Sequence, residues 1–342
     1  MIGKKNATIV DVAKEAGVSV ATVSRVVNGN YPVKPETKVA VSAAIEKLHY
    51  VPNVQARELN QRRSTTIGVV VPSLYNMFFA EVIDGIEAAV RKDKYSLLLN
   101  CAQNDPEQEQ ACIKALVARN VAGLIVISPN TQNMQEDFYK QLTERTPLVF
   151  INGYHEIPGA SYVSNDEAGG MRTALTSLWK LGHKRILMVR GRHSDSYEVK
   201  EKVYRSFMEE QGVLDENLIL DIGEGNSVET VDNTADYLLA KLPEVRPTAV
   251  CCCNDLMAVG VLNACKLLDL EVPRDVSVMG FDNVSLSRYV APKLTTMDQN
   301  MFQLGESAAS LVVEKIRFGR NKKIVLGNML IERDSVAEAH ER

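Results

Sequence analysis

The sequence lacks the features that would place it in a membrane or outside the cell. No apolar run approaches the roughly 20 residues that a membrane-spanning helix needs. The start, MIGKKNATIVDVAKEAG, has no apolar centre of the kind that a secretory signal carries. With 45% hydrophobic and 24% charged residues, the composition is that of a soluble globular chain. We therefore expect a cytoplasmic protein that makes no contact with a membrane.

Patterns for catalysis and metal binding are also missing. The five histidines form no H-E-x-x-H cluster, and there is neither a G-x-S-x-G nucleophile elbow nor a Walker loop. The stretch GEGNSV, from Gly223, lacks the third glycine of a dinucleotide motif. The six cysteines show no C-x-x-C pairing with a second Cys or His pair, so no zinc site and no disulfide framework are indicated. We expect no enzymatic activity, no metal and no cofactor, and we interpret Cys251, Cys252 and Cys253 as small buried residues of a strand.

Charge is distributed unevenly along the chain. The whole sequence has a net charge of −4, but residues 1–63 hold ten lysines and arginines against five acids, which gives +5. The rest of the chain therefore carries −9. A small basic unit joined to a larger acidic one is typical of a protein whose first part meets a polyanion. Chance variation in surface charge is the alternative.

The first 52 residues predict three short helices. Thr8 can cap a first helix that breaks at Gly17, and Ser19 can cap a second that ends at Asn28–Gly29. A third begins after Pro35. Three short helices with a tight second turn form the helix-turn-helix plan. The residues expected to face inward are Val12, Ala13, Ala16, Val23, Val26, Val27, Val39, Ala43, Ile45 and Leu48.

The outer face of the second helix carries the residues that can touch DNA. Its small side chains would let the backbone lie deep in a major groove, where Val20 and Ala21 can contact thymine methyl groups. Arg25 can reach a guanine edge or a phosphate, and the hydroxyls of this helix can bind phosphates. Ordinary capping or solvation is the alternative for each hydroxyl. The three hydroxyl residues are Ser19, Thr22 and Ser24.

From Thr66 onwards, short apolar runs alternate with helical segments. Nine runs predict strands, and near-continuous apolar strands separated by helices indicate parallel sheets covered on both faces. The number of strands is enough for two such sheets. The predicted strands are TIGVVVP, SLLLNCA, GLIVISP, PLVFING, SYVSND, RILMVRG, LILDIG, TAVCCCN and VSVMGFDN.

The segments that follow these strands are rich in serine, asparagine and aspartate. Ligands of open α/β sheets lie at the carboxyl ends of the strands, so these side chains are candidates for a binding site. They suit the hydroxyls of a small polar molecule better than a bare phosphate. The alternative for each is that it caps the helix that follows.

The motifs resemble one known family. TIVDVAKEAGVSVATVSRVVNGN, followed by VKPETKVAVSAAIEKLHYVPN, is similar to the headpiece of the LacI/GalR family of bacterial transcription regulators. The similarity continues nearly to the C-terminus. It implies that Val20, Ala21 and Arg25 read operator bases. The full set of DNA-binding residues that we expect is Thr8, Ser19, Val20, Ala21, Thr22, Ser24, Arg25, Asn28, Asn53, Ala56 and Leu59.

The last three of these lie in NVQARELNQRRS, which resembles the hinge helix of the family. The resemblance implies that Asn53 and Ala56 lie on the hinge and that Leu59 is pushed into the central minor-groove step. With about two turns of helix, the segment is too short to persist alone in water. Inserting Leu59 between bases would kink the duplex and widen the contact surface. A plain solvated linker is the alternative.

The resemblance also implies the domain organisation. Residues 1–52 would be the headpiece, 53–64 the hinge helix and linker, and 65–342 a core similar to periplasmic sugar-binding proteins. The core would have an N-subdomain (about 65–162 and 294–326) and a C-subdomain (about 163–293 and 327–342), with three crossings between them. An effector would bind in the cleft between the subdomains. Family positions that line this cleft match Ser73, Phe78, Asn152, Asn254 and Asp282.

Two positions depart from the family pattern. The arginine that usually grips the effector falls at Val203, and an aromatic residue that stacks on the ligand falls near Ser227. Within the family, the chain looks most similar to catabolite control proteins, which respond to a phosphorylated carrier protein held partly by an arginine. The matching position here is Ala291. We therefore favour a pathway-specific regulator with its own small effector over a catabolite control protein.

We expect a homodimeric, nucleoid-associated repressor of carbohydrate-metabolism genes. A two-fold protein would read a near-palindromic operator in double-stranded DNA. The chain ends in AEAHER, without apolar heptads, so a coiled-coil tetramer is not expected. The partners would be DNA, a sugar or sugar derivative, and a possible protein co-regulator. A sugar-binding transport protein is a further alternative, but it would not carry a basic helix-turn-helix.

Overall fold

The computed structural model describes residues 7–29, 31–52, 64–192 and 194–340. Contacts divide the chain into a headpiece unit, Met1–Ser64, and a core unit, Thr65–Arg342. No helix within the described ranges is long and apolar enough to cross a membrane.

The headpiece contains the three expected helices, α1 (Ile9–Glu15), α2 (Val20–Asn28) and α3 (Pro35–Leu48). Thr8 caps α1 through a reciprocal pair of hydrogen bonds with Asp11, and Ser19 caps α2. Gly29 ends α2 in the left-handed conformation, with φ of +66°. A side chain in that conformation would cost free energy, so glycine fits here.

The small core of the headpiece differs in one helix from the prediction. Val12 and Val23 are fully buried, as expected, but α3 contributes Val41 and Ala44 rather than Val39 and Ala43. Val39 is 70% exposed. The buried stripe of α3 follows the helical spacing i, i+3, i+4 and i+7 that starts at position 41, and position 39 lies on the opposite side of the helix.

The core unit contains two sheets of six strands each. The first has the order β11-β5-β4-β3-β1-β2 and is parallel throughout. Its central strands are buried because helices cover both faces. Its strands are β1 (Thr66–Val71), β2 (Ser96–Cys101), β3 (Gly123–Ile127), β4 (Leu148–Ile151), β5 (Ser161–Asn165) and β11 (Lys323–Leu326).

The second sheet has the order β12-β10-β9-β8-β6-β7 and is parallel except for its edge strand β12. Cys251, Cys252 and Cys253 lie at the end of β8 and are fully buried, as the sequence predicts. The strands are β6 (Ile186–Arg190), β7 (Ile219–Asp221), β8 (Ala249–Cys252), β9 (Ser277–Asp282), β10 (Thr295–Asp298) and β12 (Met329–Ile331).

Nine helices cover these sheets in the described part of the core. Two of them, α4 (Met77–Lys92) and α12 (Met301–Phe318), are in backbone contact where they cross at Gly85 and Gly305. A Cβ atom built on Gly305 would lie 2.1 Å from the carbonyl oxygen of Val82, so the crossing requires glycine. The helices are α4 (Met77–Lys92), α5 (Pro106–Ala118), α6 (Thr131–Gln135), α7 (Phe138–Thr143), α8 (Glu167–Lys180), α9 (Asp195–Glu210), α10 (Thr230–Val245), α11 (Asp255–Leu267) and α12 (Met301–Phe318).

The chain passes between the two sheets three times, at positions slightly different from those expected. β5 belongs to the first sheet as far as Asn165, so the first crossing follows residue 165 rather than 162. β10 pairs with β9 in the second sheet, so the second crossing follows Asp298 rather than residue 293. The third lies between β11 and β12, at the expected residue 326. The first boundary moves because β5 stays in the first sheet to its last residue, and the second moves because the sequence did not predict β10.

Candidate nucleic-acid interface and ligand cleft

The outer face of α2 exposes the residues that the sequence assigns to DNA bases. Val20 is 41% exposed, and Ala21 and Arg25 are also exposed. Val23, on the opposite side, is fully buried. The helix therefore presents two small apolar side chains and one guanidinium on a single surface. A side-chain set of this kind can contact base edges in a major groove.

The hydroxyl and amide residues of α2 are also used within the helix. The Ser19 hydroxyl accepts a hydrogen bond from the Thr22 backbone N–H at 3.2 Å and lies 2.9 Å from the Thr22 hydroxyl. The side-chain amide of Asn28 donates to the Ser24 hydroxyl at 3.1 Å. Capping and local bonding, the alternative explanation, therefore accounts for part of this set. Ser19 itself remains exposed, and a serine hydroxyl has a further lone pair and a proton for a phosphate.

Two other residues shape this surface. Thr8 is exposed at the start of α1, where its hydroxyl donates to Asp11 at 2.7 Å. Tyr31, which the sequence did not suggest, is 66% exposed and lies beneath the guanidinium of Arg25, 5.4 Å from the ring centroid. Stacking of this kind holds an arginine in place while it keeps its charge. Asn53, Ala56 and Leu59 lie outside the described residues.

The polar side chains predicted for the core lie where its strands end. Ser73 follows β1, Asn152 follows β4, Asn254 follows β8, and Asp282 is the last residue of β9. All four are buried, with 3–5% of each residue exposed. Asn152, Asn254 and Asp282 line one cavity between the two halves of the core, together with Phe78. The structure therefore brings four of the five predicted cleft residues to one space.

The backbone at this cleft is strained. Asn152 has φ of +52° and Asp282 has φ of +124°. Ser128, which follows β3 and also lines the cleft, has φ of +45°. Residues other than glycine adopt such angles at a cost of about 1–3 kcal/mol each, and they concentrate at functional sites.

Hydrogen bonds link the two walls of the cleft directly. The Ser73 hydroxyl donates to the carbonyl oxygen of Asn226 at 2.7 Å, and the Asn76 amide donates to the Asn226 side chain at 2.9 Å. The Thr131 hydroxyl donates to Asp195 at 2.8 Å. The cavity volume left between the walls is about 40 Å³. The halves are therefore close together, and Ser73 bonds to the opposite wall.

Asn254 serves both the fold and the cleft. Its side-chain oxygen accepts from the Met257 backbone N–H at 2.9 Å and caps α11. Its amide nitrogen donates to the carbonyl oxygen of Gly225 at 2.8 Å. The helix-capping explanation is therefore correct for this residue, although its position on the cavity wall also leaves it beside any ligand.

A buried ion pair lies on one wall of the cavity. The Lys200 Nζ lies 3.4 Å from a carboxylate oxygen of Glu167, and both side chains are 2% exposed. Lys200 also donates to the Ser196 hydroxyl and to the carbonyl oxygen of Cys253, each at 3.1 Å. Burial is the largest single influence on Lys200 and lowers its pKa, but the neighbouring Glu167, Cys253 and Asp282 together outweigh burial and raise the Lys200 pKa above its usual value.

The carboxyl group of Asp282 has an amide partner. Gln299 Nε2 donates to Asp282 Oδ1 at 2.5 Å. Gln299 is 2% exposed, and its Oε1 has no hydrogen-bond partner among the described residues. Both residues line the cavity. Burial raises the pKa of Asp282 well above its usual value, and Lys200 opposes that shift.

Amide side chains tie the three crossings together. The Asn165 amide, on the first crossing, donates to the carbonyl oxygen of Gln299 on the second. It also donates to the side chain of Asn328, on the third crossing, at 2.9 Å. Asn328 in turn donates to the carbonyl oxygen of Asp166 at 3.0 Å. One network of neutral side chains therefore connects all three segments that join the halves.

The sequence did not single out Lys200, Asn226 or Gln299. Val203, where the family pattern has an arginine, packs against the core of the second half. Lys200 lies about one helical turn earlier on α9 and reaches the cavity instead. Asn226 is next to Ser227 in GEGNSV, a polar stretch that follows β7. A polar residue after a predicted strand is a signal that could have identified it as a cleft residue. Gln299 follows β10, a strand that the sequence did not predict.

Two family models match the chain. The model of bacterial regulatory proteins of the lacI family matches residues 8–53, which contain α1, α2 and α3. The model of a periplasmic binding protein-like domain matches residues 175–336, which contain most of the second half of the core.

Individual relatives match over nearly the whole length. Catabolite control protein A of Priestia megaterium is 36% identical over 315 residues, which are 90% of this chain and 92% of that protein. The transcriptional repressor PurR of Vibrio atlanticus is 32% identical over 336 residues, 96% of this chain and 98% of that protein. The structure of the lac repressor dimer bound to operator and the anti-inducer ONPF aligns with a TM-score of 0.84 and 25% identity, and the alignment covers 97% of this chain and 100% of that one.

Proposed function

Because the chain belongs to the LacI family of bacterial regulatory proteins, we propose that it represses carbohydrate-metabolism genes and that a small polar effector controls its affinity for the operator. The chain is a DNA-binding transcription regulator with an effector-binding core. The observation that carries the proposal is the outer face of α2, where Val20, Ala21 and Arg25 stand exposed on a basic headpiece. Its relatives are transcription regulators rather than enzymes.

On DNA, the residues of the headpiece divide into two roles. Val20, Ala21 and Arg25 contact base edges and determine which sequence is bound. Contacts to phosphates set the position of the helix but carry little sequence information. Ser19 is exposed at the amino end of α2, where a phosphate also meets the positive end of the helix dipole. The phosphate-contacting set is Thr8, Ser19, Thr22, Ser24 and Asn28.

The hinge supplies the third part of the DNA contact. We propose that Asn53 and Ala56, which lie outside the described residues, contact the operator and that Leu59 inserts into its minor groove between two base pairs. Kinking of the duplex would then favour operators with a flexible central step. Replacing Leu59 with alanine should lower the ratio of specific to non-specific affinity, and titrations of operator and random DNA measure it.

The effector acts by changing how the two halves of the core meet. A sugar-sized molecule is larger than the cavity of about 40 Å³, so it enters as the cleft opens. Its hydroxyls then replace the bonds that Ser73 and Asn76 make with Asn226. Effector and operator affinities are coupled by the same factor in both directions. Phe78, Asn152, Asn254 and Asp282 form the wall that the effector contacts.

Two copies of the chain act together. A homodimer presents two α2 helices to the two halves of a near-palindromic operator. The lac repressor, whose structure aligns with this chain, is a dimer bound to its operator in that structure. We place the protein in the bacterial cytoplasm, associated with the nucleoid through its DNA contacts.

Binding of selected DNA tests the proposal. Duplexes recovered from a random library with the full-length protein serve as probes, and Arg25→Ala is titrated against them. Loss of an arginine contact to a base costs about 1–3 kcal/mol, which is roughly 5- to 150-fold in affinity. Lys47→Ala is the matched control, because Lys47 is an equally charged headpiece residue that pairs with Glu15 at 2.6 Å. If Arg25→Ala and Lys47→Ala weaken binding to the selected DNA equally, the assignment of α2 as the helix that reads the operator is refuted.

A catabolite control function is the second candidate. The 36% identity with catabolite control protein A favours it. The position where the resemblance calls for an arginine that holds the carrier protein is Ala291, which is exposed beside Tyr289 and Arg288. Operator binding measured with and without a serine-phosphorylated carrier protein distinguishes this function from control by a small effector. Tighter operator binding that requires the phosphate would favour this second function.

A further inference from the structure

The charges around the cleft restrict what the effector can be. Resting on the proposed effector role of the cleft, we infer that the effector is an uncharged or cationic polyhydroxyl compound, such as a sugar or an amino sugar, and that the cleft excludes sugar phosphates and sugar acids. Gln299 and Asp282 together would receive hydroxyl or amine protons from this compound. Three features of the cleft walls carry this inference: the partners of the cations, the excess of acids and an unpaired acceptor.

First, every described cation that lines the cleft already has an anionic partner. Lys200 is held by Glu167 at 3.4 Å and makes two further hydrogen bonds within the wall. A lysine ammonium has three protons, so these contacts use all of them. Arg192 donates through Nε to Asp221 at 2.8 Å. An anionic effector would have to compete with a carboxylate for either cation.

Second, acids outnumber cations on the walls. Two pockets that share Ser128, Asn152 and Asn226 make up the cleft, and together they are lined by six acids and by two cations, Arg192 and Lys200. Burial is the largest cause of the raised pKa of Glu109 and of Asp282. The other four acids alone are twice as many as the cations. A phosphate or carboxylate entering this space meets like charge, which costs several kcal/mol at an interface. The acids are Asp105, Glu109, Glu167, Asp195, Glu224 and Asp282.

Third, one buried hydrogen-bond acceptor in the cleft has no donor among the described residues. Gln299 lines the cavity, and its Oε1 is buried and has no partner in the part of the chain that the structure describes. Its orientation is fixed because Nε2 faces the Asp282 carboxyl group at 2.5 Å. A buried polar atom without a partner costs about 1–3 kcal/mol. A ligand hydroxyl or ammonium that donates to Oε1 removes that cost, whereas a phosphate dianion has no proton to offer.

These observations favour a ligand rich in donors. A sugar hydroxyl can donate to Gln299 Oε1 or to Asp282 while it accepts from the amides of Asn152 and Asn254. An amino sugar adds a positive charge that the excess of carboxylates stabilises. Phe78 offers an apolar surface at the same cavity for the carbon face of a ring. The same set gives a dianion few free donors and several repelling groups.

Matched sets of compounds provide the experiment. The probes are glucose, galactose, mannose and ribose, each with its terminal phosphate, its aldonic acid and its 2-amino derivative, and guanine and hypoxanthine serve as uncharged nucleobases. Melting of the full-length protein finds the compounds that bind, and calorimetry gives their Kd. We expect parent or aminated compounds to bind at least about tenfold tighter than their anionic derivatives, since one misplaced charge costs more than 1.4 kcal/mol. An anionic member that binds tighter than its parent overturns the inference.

The operator separates this inference from the proposed function. An anionic compound that binds and changes operator affinity would overturn the inference and leave the regulator function standing. Binding of no compound, with operator binding intact, would overturn both the inference and control by a small polar effector. Failure of the protein to select any DNA sequence would overturn the proposed function itself.

Three variants test the residues. Gln299→Met keeps the size of the side chain but removes the free acceptor, and we expect about tenfold weaker binding of the neutral compound, as for one hydrogen bond. Asp282→Asn should bring the Kd of a sugar phosphate closer to the Kd of its parent sugar. A merely structural defect would weaken both compounds and leave the ratio of their Kd values unchanged. Asp236→Asn, on the exposed face of α10, is the matched control for charge. An unchanged ratio in Asp282→Asn, or unchanged affinity in Gln299→Met, would contradict the assigned roles.

Discussion

The buried pair of Lys200 and Glu167 allows a quantitative prediction for the second half of the core. Each side chain is 2% exposed, and their charged atoms lie 3.4 Å apart. In Lys200→Met, the Glu167 carboxylate keeps the hydroxyls of Tyr154 and Ser196 as donors but loses its counter-charge. Removing one partner of a buried ion pair typically costs about 3–5 kcal/mol, because the other charge stays in a medium of low dielectric constant. The ammonium also leaves the face of Phe281, whose ring centroid is 4.0 Å away.

The single tryptophan gives a local assay for this loss. Trp179 lies on α8, the helix that begins with Glu167, and packs against the core of the second half. Its fluorescence therefore follows the unfolding of that half rather than of the headpiece. For a domain of this size, a loss of 3–5 kcal/mol lowers Tm by about 6–20 °C. We expect Lys200→Met to show a shift in that range.

Two further variants decide whether the charge pair is the cause. Lys202→Met removes an exposed lysine from the same helix and should shift Tm by little. The double variant Lys200→Met, Glu167→Gln removes both charges and should recover most of the lost stability. A Tm of Lys200→Met equal to that of Lys202→Met would contradict a role for the charge pair. So would a double variant that melts no higher than Lys200→Met alone.

Three shorter predictions follow from the fold. Gly305→Ala should destabilise the protein by about 1–3 kcal/mol in calorimetry, since its Cβ would meet the backbone of Val82, whereas a Gly→Ala change in an open helix is stabilising. Ser19→Ala should speed hydrogen exchange of the first α2 amides about fivefold, for a lost cap of about 1 kcal/mol, with Ser42→Ala on exposed α3 as control. Burial raises the Asp255 pKa to about 7, so the folded state holds this proton more tightly than the unfolded state does. The contribution of Asp255 to stability is therefore complete below about pH 4 and falls as the pH rises towards 7. Asp255→Asn should flatten Tm against pH over that range, and an unchanged slope would refute this.

Local signals in the sequence predict most of the architecture. The caps at Thr8 and Ser19 and the left-handed Gly29 are fixed by short-range chemistry, so the ends of α1 and α2 are predictable. The nine predicted strands have apolar runs that stand out from their surroundings. In α3 the sequence misled, because Val39 and Ala43 fit a helical spacing as well as the true stripe does. Packing against α1 and α2 decides between the two.

The strands that escaped prediction are short. β10 reads TTMD, and the edge strands β11 and β12 read KIVL and MLI. β10 has only one apolar residue, and the apolar runs of β11 and β12 are only three residues long, too short to stand out as strands. Missing β10 also displaced the second crossing between the halves and hid Gln299, which follows it directly.

The cleft was predictable only in part for a related reason. Asn152, Asn254 and Asp282 follow strands directly, and the ends of parallel strands meet at one edge of a sheet. Lys200 reaches the cavity from the middle of α9, and only the packing of that helix on the second sheet brings it there. Asn226 lies on the wall because the two halves face each other. The placement of Lys200 depends on tertiary packing, for which the local sequence has no signal, whereas Asn226 lies in a polar stretch after a predicted strand.

The amide network at the crossings has a consequence for how the two binding events respond to solution conditions. Asn165, Gln299 and Asn328 join the three segments through neutral groups, and amides neither titrate nor attract counterions. Bonds of this kind keep their strength as ionic strength rises, while contacts between the basic headpiece and phosphates weaken steeply. Added salt should therefore lower operator affinity without altering the factor by which the effector changes it. The protein can in this way keep the same relative response to its effector while its absolute hold on DNA varies with the ionic state of the cell.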